Sequence, residues 1–158
     1  MSNWVVFHRL LVTVLLAGWI GYERERLGRA AGLRTHILVA LGSCLVMLTA
    51  LDMMASLAGR VVIDPTRMAG QVISGIGFLG AGTILRAGAS VRGLTTAASL
   101  WVVAGIGLAV GSGFVIGAAL TTVLVLAVLV VLSRWERRFS KEATRDQQGG
   151  EHGTAAIS

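Results

Sequence analysis

The chain has 158 residues, of which 54% are hydrophobic and only 14% are charged, and its mean hydropathy is +0.76. A soluble domain of this size needs far fewer apolar residues, so the composition indicates a membrane protein. The formal charge of +6 does not indicate nucleic-acid binding, because the basic residues cluster at the ends of apolar segments and form no stripe with interleaved aromatic side chains. The lone cysteine, Cys44, lies in an apolar stretch and has no partner for a disulfide or a metal-ligand pattern.

Five apolar segments approach the length of about 20 residues that a helix needs to cross a bilayer. They predict transmembrane helices at about residues 4–22, 35–54, 68–85, 95–110 and 114–133. The last two segments form one apolar tract that is interrupted by Gly111-Ser112-Gly113, where we expect a tight turn. The first segment is expected to remain as an anchor, since its positive cluster follows the apolar run. The predicted fold is an all-α, polytopic bundle over residues 1–133.

The basic residues predict the orientation of this bundle. Most of them fall in the first connection, the third connection and the tail: Arg24, Arg26, Arg29, Arg34, Arg86, Arg92, Arg134, Arg137, Arg138, Lys141 and Arg145. The opposite side receives only Arg9, Arg60 and Arg67. Basic loops stay in the cytoplasm, so we expect an outside N-terminus and a cytoplasmic C-terminus. Arg9 lies inside the first segment, near its outer end, and is expected to extend toward the interface.

The composition changes after residue 133. Residues 134–158 are polar and include basic, aromatic and glycine residues that cannot build a core. We predict a basic juxtamembrane segment that follows the anionic inner surface, and then a disordered cytoplasmic tail from about Arg145 onward.

Acidic and basic side chains alternate directly after the first predicted helix, beginning at Glu23 and ending at Arg34. They favour a salt-bridge network at the headgroup level. The alternative is a binding site in which Glu23 and Glu25 supply oxygen ligands to a divalent ion, since Mg²⁺ needs only one or two protein carboxylates. The neighbouring arginines oppose cation binding, so the structural interpretation is preferred.

On the outer side, Asp64 precedes Pro65 at the start of the third helix. Proline suits the first helical turn, so Asp64 is expected to cap this helix, and it is also a weak candidate metal ligand. Arg67 and Gln71 lie one turn apart and share a helix face. The Gln71 amide enters lipid depth, where an unsatisfied polar group is costly, so it must face protein or water. With Asp64, these side chains are candidates for lining the outer mouth of a polar cavity.

The third helix is rich in glycine, and small residues recur at four-residue spacing in the last two helices. Such residues allow close helix packing in lipid, which is the predicted role of Gly75, Gly77, Gly80, Gly82, Gly107 and Gly111. A broken helix that exposes backbone carbonyls to a cavity is the alternative. Residues 75–80 also match G-x-G-x-x-G, but the strand and helix of a dinucleotide-binding unit are missing around them.

The connection before the fourth helix contains Arg92, Thr95 and Thr96. One of the two threonines is expected to cap that helix, and Arg92 is a candidate for contacting lipid phosphate or an acidic partner. His8, His36 and His152 combine with no nucleophile or paired acids into a recognisable site, so we do not expect an enzyme. His36 is expected to lie at the membrane interface.

Three separated motifs resemble, in order, the MgtC/SapB family of bacterial membrane proteins. They are Gly21-Tyr22-Glu23-Arg24-Glu25 with Ala31-Gly32-Leu33-Arg34-Thr35, then residues 71–82, then residues 91–101. The resemblance implies a multi-pass protein of the bacterial inner membrane that is associated with magnesium limitation and, in pathogens, with survival inside host cells. It also implies a regulator of other membrane machinery, such as proton-driven ATP synthesis, in some members. Carried over by motif, the functional candidates are Glu23, Glu25, Arg34, Asp64, Arg67, Gln71 and Arg92.

Longer relatives of this family carry a cytoplasmic domain after the fifth helix, and this chain is expected to lack it. Two function classes therefore remain. The preferred one is a non-enzymatic regulator of membrane ion or energy homeostasis that docks onto itself or onto another inner-membrane protein. The alternative is a small transporter or channel that acts as an oligomer through Arg67, Gln71 and a broken third helix. Neither requires a cofactor, although an association with Mg²⁺ is compatible with both.

Overall fold

A computed structural model describes residues 1–61, 64–88 and 90–131. Five helices account for most of this part of the chain: α1 (Asn3–Arg26), α2 (Leu33–Ser56), α3 (Pro65–Thr83), α4 (Leu94–Ser112) and the described part of α5 (Val115–Val131). Three of them, α1, α2 and α4, are long and apolar enough to cross a membrane. The all-α membrane fold is thereby confirmed, whereas the number of spans stays a prediction. The predicted tail, residues 134–158, lies outside the described residues.

The chain divides into two compact units, Met1–Val123 and Leu124–Ser158. The first contains α1 to α4 and all of the packing described below. In the second, the described residues 124–131 are helical.

The helix boundaries differ from the expected ones by one to four residues, and two ends are instructive. The predicted end of α1 at Tyr22 is wrong by about one turn, because the helix continues to Arg26. Hydropathy falls at Glu23, but Glu and Arg are good helix formers, so the backbone remains helical. The third helix ends at Thr83 instead of residue 85, since Ile84 adopts an extended conformation.

A short antiparallel hairpin joins α3 to α4 and was not expected. Its strands are β1 (Leu85–Ala87) and β2 (Ser90–Arg92), and Arg86 pairs with Val91. Gly88 has a φ of +61° at the turn, a conformation that glycine adopts without strain. Strands of three residues are too short for an alternating pattern to be recognised in the sequence.

The fourth helix is the centre of the bundle and packs against α1, α2 and α3. Its closest approach is to α2: a Cβ atom on Gly107 would collide with the carbonyl oxygen of Ala40, and one on Gly111 would lie 2.8 Å from that of Cys44. Both glycines therefore let two helix backbones meet, which is how helices associate in lipid. Because Gly107 faces Ala40 and Gly111 faces Cys44, the two helices run parallel.

The far end of α4 is held by α1. Arg9 Nη1 donates a hydrogen bond of 2.7 Å to the carbonyl oxygen of Gly111, where the negative end of the helix dipole attracts a cation. Arg9 thus contacts the last turn of α4, and its expected extension toward the membrane interface stays a prediction. The tight turn after α4 is confirmed, since Gly113 adopts a φ of +96° there.

Candidate functional site

A cluster of four buried polar side chains lies where the end of α1 meets the starts of α2 and α4. It consists of Arg24, His36, Thr96 and Ser99. Arg24 is only 3% exposed and His36 is fully buried, although both lie in largely apolar helices. We call this set the inner polar cluster. It joins the last turn of α1 to the first turns of α2 and α4.

Arg24 is the charged member of this cluster. Its Nη2 donates to Thr96 Oγ1 over 2.9 Å, while its buried Nε has no hydrogen-bond partner in the part of the chain that the structure describes. Within the described ranges, the one ion pair joins the Met1 amino group to Asp52, so Arg24 has no carboxylate partner there. A buried charge without a counter-ion is costly. The positive charge of the guanidinium is therefore not balanced by any described carboxylate.

His36 connects α2 to α4 through a short chain of hydrogen bonds. Its Nδ1 lies 2.8 Å from the Gly32 carbonyl oxygen and its Nε2 lies 3.1 Å from Ser99 Oγ. Ser99 Oγ also lies 2.8 Å from the carbonyl oxygen of Thr96. A carbonyl only accepts, so Nδ1 donates, and in a neutral imidazole Nε2 must accept from Ser99. The single Ser99 proton is thus shared between two acceptors.

Two acidic residues, Glu23 and Glu25, lie near this end of α1. Glu25 Oε2 accepts a hydrogen bond of 2.7 Å from the Leu33 backbone N–H, which places a negative charge at the helix N-terminus. Glu23 is half-buried on α1, whereas Arg34 and Arg92 are exposed. In the part of the chain that the structure describes, no three His, Cys, Asp or Glu side chains could hold a metal ion together. A role of Glu23 or Glu25 in binding a divalent ion stays a prediction.

The other candidates lie at the opposite end, near the start of α3. Asp64 Oδ1 accepts hydrogen bonds from the Thr66 backbone N–H at 2.9 Å and from its hydroxyl at 2.6 Å, so Asp64 caps α3. These bonds lower the pKa of Asp64, so the cap is complete above the ordinary pKa of aspartate and is lost as the pH falls through the lowered value. Arg67 and Gln71 are exposed on α3, and the polar cavity proposed for them stays a prediction.

The six glycines predicted to pack helices fall into two groups. In the first group, an ideal Cβ atom on Gly80 would lie 3.5 Å from the side chain of Ala97. Gly107 and Gly111 also belong to this group, because they contact α2 as described. An added Cβ atom at Gly75, Gly77 or Gly82 would meet no heavy atom within 4 Å among the described residues. The open space at Gly77 leaves that side of α3 available for contact outside the described bundle, whereas Gly75 borders the groove between α2 and α3.

Sequence reasoning missed the inner polar cluster. Arg24 counted as one basic residue of the alternating run after α1, and His36 was assigned to the interface with no partner named, whereas it is fully buried between helix ends. The expected capping role of Thr95 or Thr96 is also wrong, since Gly93 is the cap residue of α4, and it makes no side-chain bond. A usable signal is the spacing of Thr96 and Ser99, which places two hydroxyls on one face of an otherwise apolar helix.

Comparison with known proteins agrees with the three motifs in the sequence. The pattern of the MgtC family matches residues 10–138. YhiD of Escherichia coli K12, named "Putative magnesium transporter YhiD", is 44% identical over 79 residues, which are 49% of this chain and 37% of that protein. Protein MgtC of Salmonella typhimurium strain 14028s is 44% identical over 79 residues, which are 50% of this chain and 31% of that protein. An uncharacterised protein of Haemophilus influenzae is 40% identical over 84 residues, which are 51% of this chain and 35% of that protein.

The matched part of this chain thus spans about a third of the length of these relatives. No solved structure matches the chain. The family match covers most of the sequence and includes all four residues of the inner polar cluster. The chain therefore belongs to the MgtC family.

Proposed function

We propose that this chain is a non-enzymatic regulator of magnesium-linked ion or energy homeostasis in the bacterial inner membrane, and that it acts by docking α3 onto another membrane helix. The proposed arrangement has five spans, an outside N-terminus and a cytoplasmic C-terminus. The distribution of basic residues supports this orientation. The antiparallel packing of α1 and α4 supports opposite crossing directions for these two helices, since Arg24 contacts the start of α4 and Arg9 contacts its end.

The observation that carries the proposal is the uncovered side of α3. Gly70, Ser74, Gly77 and Ala81 follow one another at helical spacing and are all exposed, while Phe78 beside them is 83% exposed. Only Ile76 and Gly80 of this helix are buried. A stripe of small side chains lets the backbone of a second helix approach closely. Packing against lipid chains alone would not require such a stripe.

Gln71 strengthens this interpretation. Its amide is exposed on the same helix, about 9 Å beyond the start of α3 at the usual helical rise. A polar amide at that depth needs a hydrogen-bond partner. A docked helix supplies both the partner for Gln71 and the cover for the small-residue stripe.

Two cavities of the described bundle have apolar walls, which favour docking over ion conduction, whereas a third, of about 300 Å³, is lined in part by Asn3, Thr49 and Asp52. The groove between α2 and α3 has a volume of about 420 Å³ and is bordered by apolar residues, among them Leu38, Val72 and Leu79. A second cavity of about 230 Å³, beside α4, is lined by residues such as Trp101, Ile106 and Ala118. A hydrated divalent ion requires oxygen ligands, which such walls do not provide.

The link to magnesium is carried by the family and by the name of the relative YhiD. That name proposes transport, so transport is the second candidate function for this chain. Gln71 and Arg67 on α3 favour it, because an oligomer would place these polar side chains along a shared pathway.

Two experiments on the same chain test both candidates. The purified chain is reconstituted into sealed liposomes for Mg²⁺ and proton flux, and the same chain is crosslinked and captured from native membranes. Regulation by docking predicts no flux above protein-free liposomes and a crosslinked partner that is lost in Gly77→Leu, because the new side chain separates the two helices. The matched control is Gly105→Leu, at a position on α4 that also has open space around it.

Robust Mg²⁺ or proton flux that is abolished by Gln71→Leu would contradict docking and support transport. Unchanged crosslinking of a folded Gly77→Leu protein would show that the stripe on α3 is not the contact surface.

A further inference from the structure

We propose that the inner polar cluster is a binding site for a phosphate group, which Arg24 and the first turn of α4 hold together. The site is separate from the stripe on α3 that carries the proposed function. Its ligand chemistry is a phosphate oxyanion, supplied either by a phospholipid headgroup or by free phosphate. The argument begins with the helix N-terminus.

The start of α4 has backbone donors without partners among the described residues. Its cap residue is Gly93, and no side-chain cap hydrogen bond is made there, so the N–H groups of Leu94, Thr95 and Thr96 lack a capping acceptor in that part of the chain. Helix N-termini bind anions because their N–H groups and their dipole both point toward the ligand. Thr96 Oγ1 accepts from Arg24, which leaves the hydroxyl proton of Thr96 available for an oxyanion.

Arg24 is the second, independent observation. Arg24 is 3% exposed, its guanidinium reaches the first turn of α4 through Thr96, and its buried Nε has no hydrogen-bond partner among the described residues. The charged group that acts on it most strongly is Arg29, another cation. A guanidinium matches the geometry of phosphate oxygens and binds them through paired hydrogen bonds.

The N-termini of α2 and α3 each receive a carboxylate, whereas that of α4 does not among the described residues. The N-terminus of α2 receives the carboxylate of Glu25, and that of α3 receives the carboxylate of Asp64. At α4, by contrast, a helix N-terminus and a buried guanidinium coincide, and residues 84–93 before it contain two arginines and no acid. The carbonyl oxygen of Thr83 packs against Gly93, but a helix C-terminus carries only about half a negative charge. The site therefore has an excess of positive charge that one anion would balance.

Phosphate is favoured by the donors themselves. Backbone N–H groups, a hydroxyl and a guanidinium are the groups that recognise phosphate at helix N-termini. Arg92, exposed two residues before α4, adds a flexible positive charge at the approach to the site. The inner polar cluster lies at the ends of three helices, which is the depth at which headgroup phosphates occur in a bilayer.

Thermal unfolding in dodecyl maltoside micelles, which contain no phosphate, tests the site. The two probes are inorganic phosphate and short-chain phosphatidylglycerol, each compared with potassium chloride at the same ionic strength. A ligand that binds only the folded chain raises the unfolding temperature as its concentration rises. The expected result is a saturable rise with at least one probe and none with chloride.

Three variants locate the effect. Arg24→Gln is expected to weaken the apparent affinity about tenfold or more, because a charged hydrogen-bond donor is lost. Arg26→Gln removes the same charge from an exposed position on the same helix and is expected to bind like the wild type. Thr96→Val keeps Arg24 and the backbone donors, so it is expected to bind several-fold more weakly even if Arg24→Gln does not fold.

The two sources are distinguished by the probes. A rise with inorganic phosphate supports a soluble phosphate ligand, and a rise with phosphatidylglycerol alone supports a lipid headgroup. The proposal is overturned if neither probe stabilises the wild type beyond chloride, or if Thr96→Val and the folded Arg24→Gln protein respond as strongly as Arg26→Gln. This outcome is independent of whether the stripe on α3 docks a partner.

Discussion

At Ser99, one hydroxyl proton lies within reach of two acceptors, His36 Nε2 and the Thr96 carbonyl oxygen. When His36 is neutral, the proton is needed at Nε2, because Nδ1 already donates to Gly32. If His36 gains a second proton, Nε2 donates and the Ser99 proton turns to Thr96. This residue therefore links the hydrogen bonding of α2 to that of α4 in either state.

Replacement of Ser99 by alanine should be destabilising. It leaves Nε2 of a fully buried histidine without a donor, which costs about 1–3 kcal/mol. The control is Ser112→Ala on the same helix, since Ser112 makes the same type of bond to a carbonyl, at 2.8 Å, but is exposed. We expect the control to change the free energy of unfolding by less than about 0.5 kcal/mol. Denaturant titration in mixed micelles measures both, and equal values would contradict a buried link through Ser99.

At the scale of the helices, the bundle depends on where glycines meet a neighbouring backbone. Gly107 and Gly105 are two residues apart on α4, but only Gly107 lies against α2. The difference follows from the helical period, which turns the two positions to different sides. A glycine-rich sequence thus contains both contact positions and open ones.

The two glycines should respond in opposite ways to alanine. In Gly107→Ala, the new methyl group meets the carbonyl oxygen of Ala40, and such overpacking costs about 1–3 kcal/mol. In Gly105→Ala the methyl group has room, so the higher helix propensity of alanine should leave stability unchanged or raise it by up to about 1 kcal/mol. Thermal unfolding of both variants is the measurement. A Gly107→Ala protein as stable as Gly105→Ala would show that α2 and α4 do not approach closely.

The sequence predicts helices better than it predicts the site, for physical reasons. Long apolar runs are required by the thickness of the bilayer, so the five helices could be located, and the Asp64 cap could be predicted because its partners are adjacent in sequence. The end of α1 could not be predicted, because hydropathy does not report helix propensity. Arg24 and Thr96 are 72 residues apart, and no local pattern connects them. Their meeting follows only from the packing of α4 against α1.

At the scale of the whole molecule, the proposals need a defined orientation. Each of the ends described above collects groups from several helices: Arg24, His36 and Thr96 at one, and Arg9 and Asp52 at the other. The exposed basic residues Arg26, Arg34 and Arg92 lie in or next to the helix ends that form the inner polar cluster. The proposed orientation assigns this end to the cytoplasm.

Cysteine accessibility in intact cells tests that orientation directly. The single natural cysteine, Cys44, is buried and is replaced by serine, and new cysteines are placed at exposed positions as Ala58→Cys, Ser112→Cys, Ala30→Cys and Ser90→Cys. We expect a membrane-impermeant maleimide to label the first two in intact cells and the last two only after permeabilisation. Labelling of Ala30→Cys or Ser90→Cys from outside would contradict the arrangement, as would protection of Ala58→Cys and Ser112→Cys in intact cells.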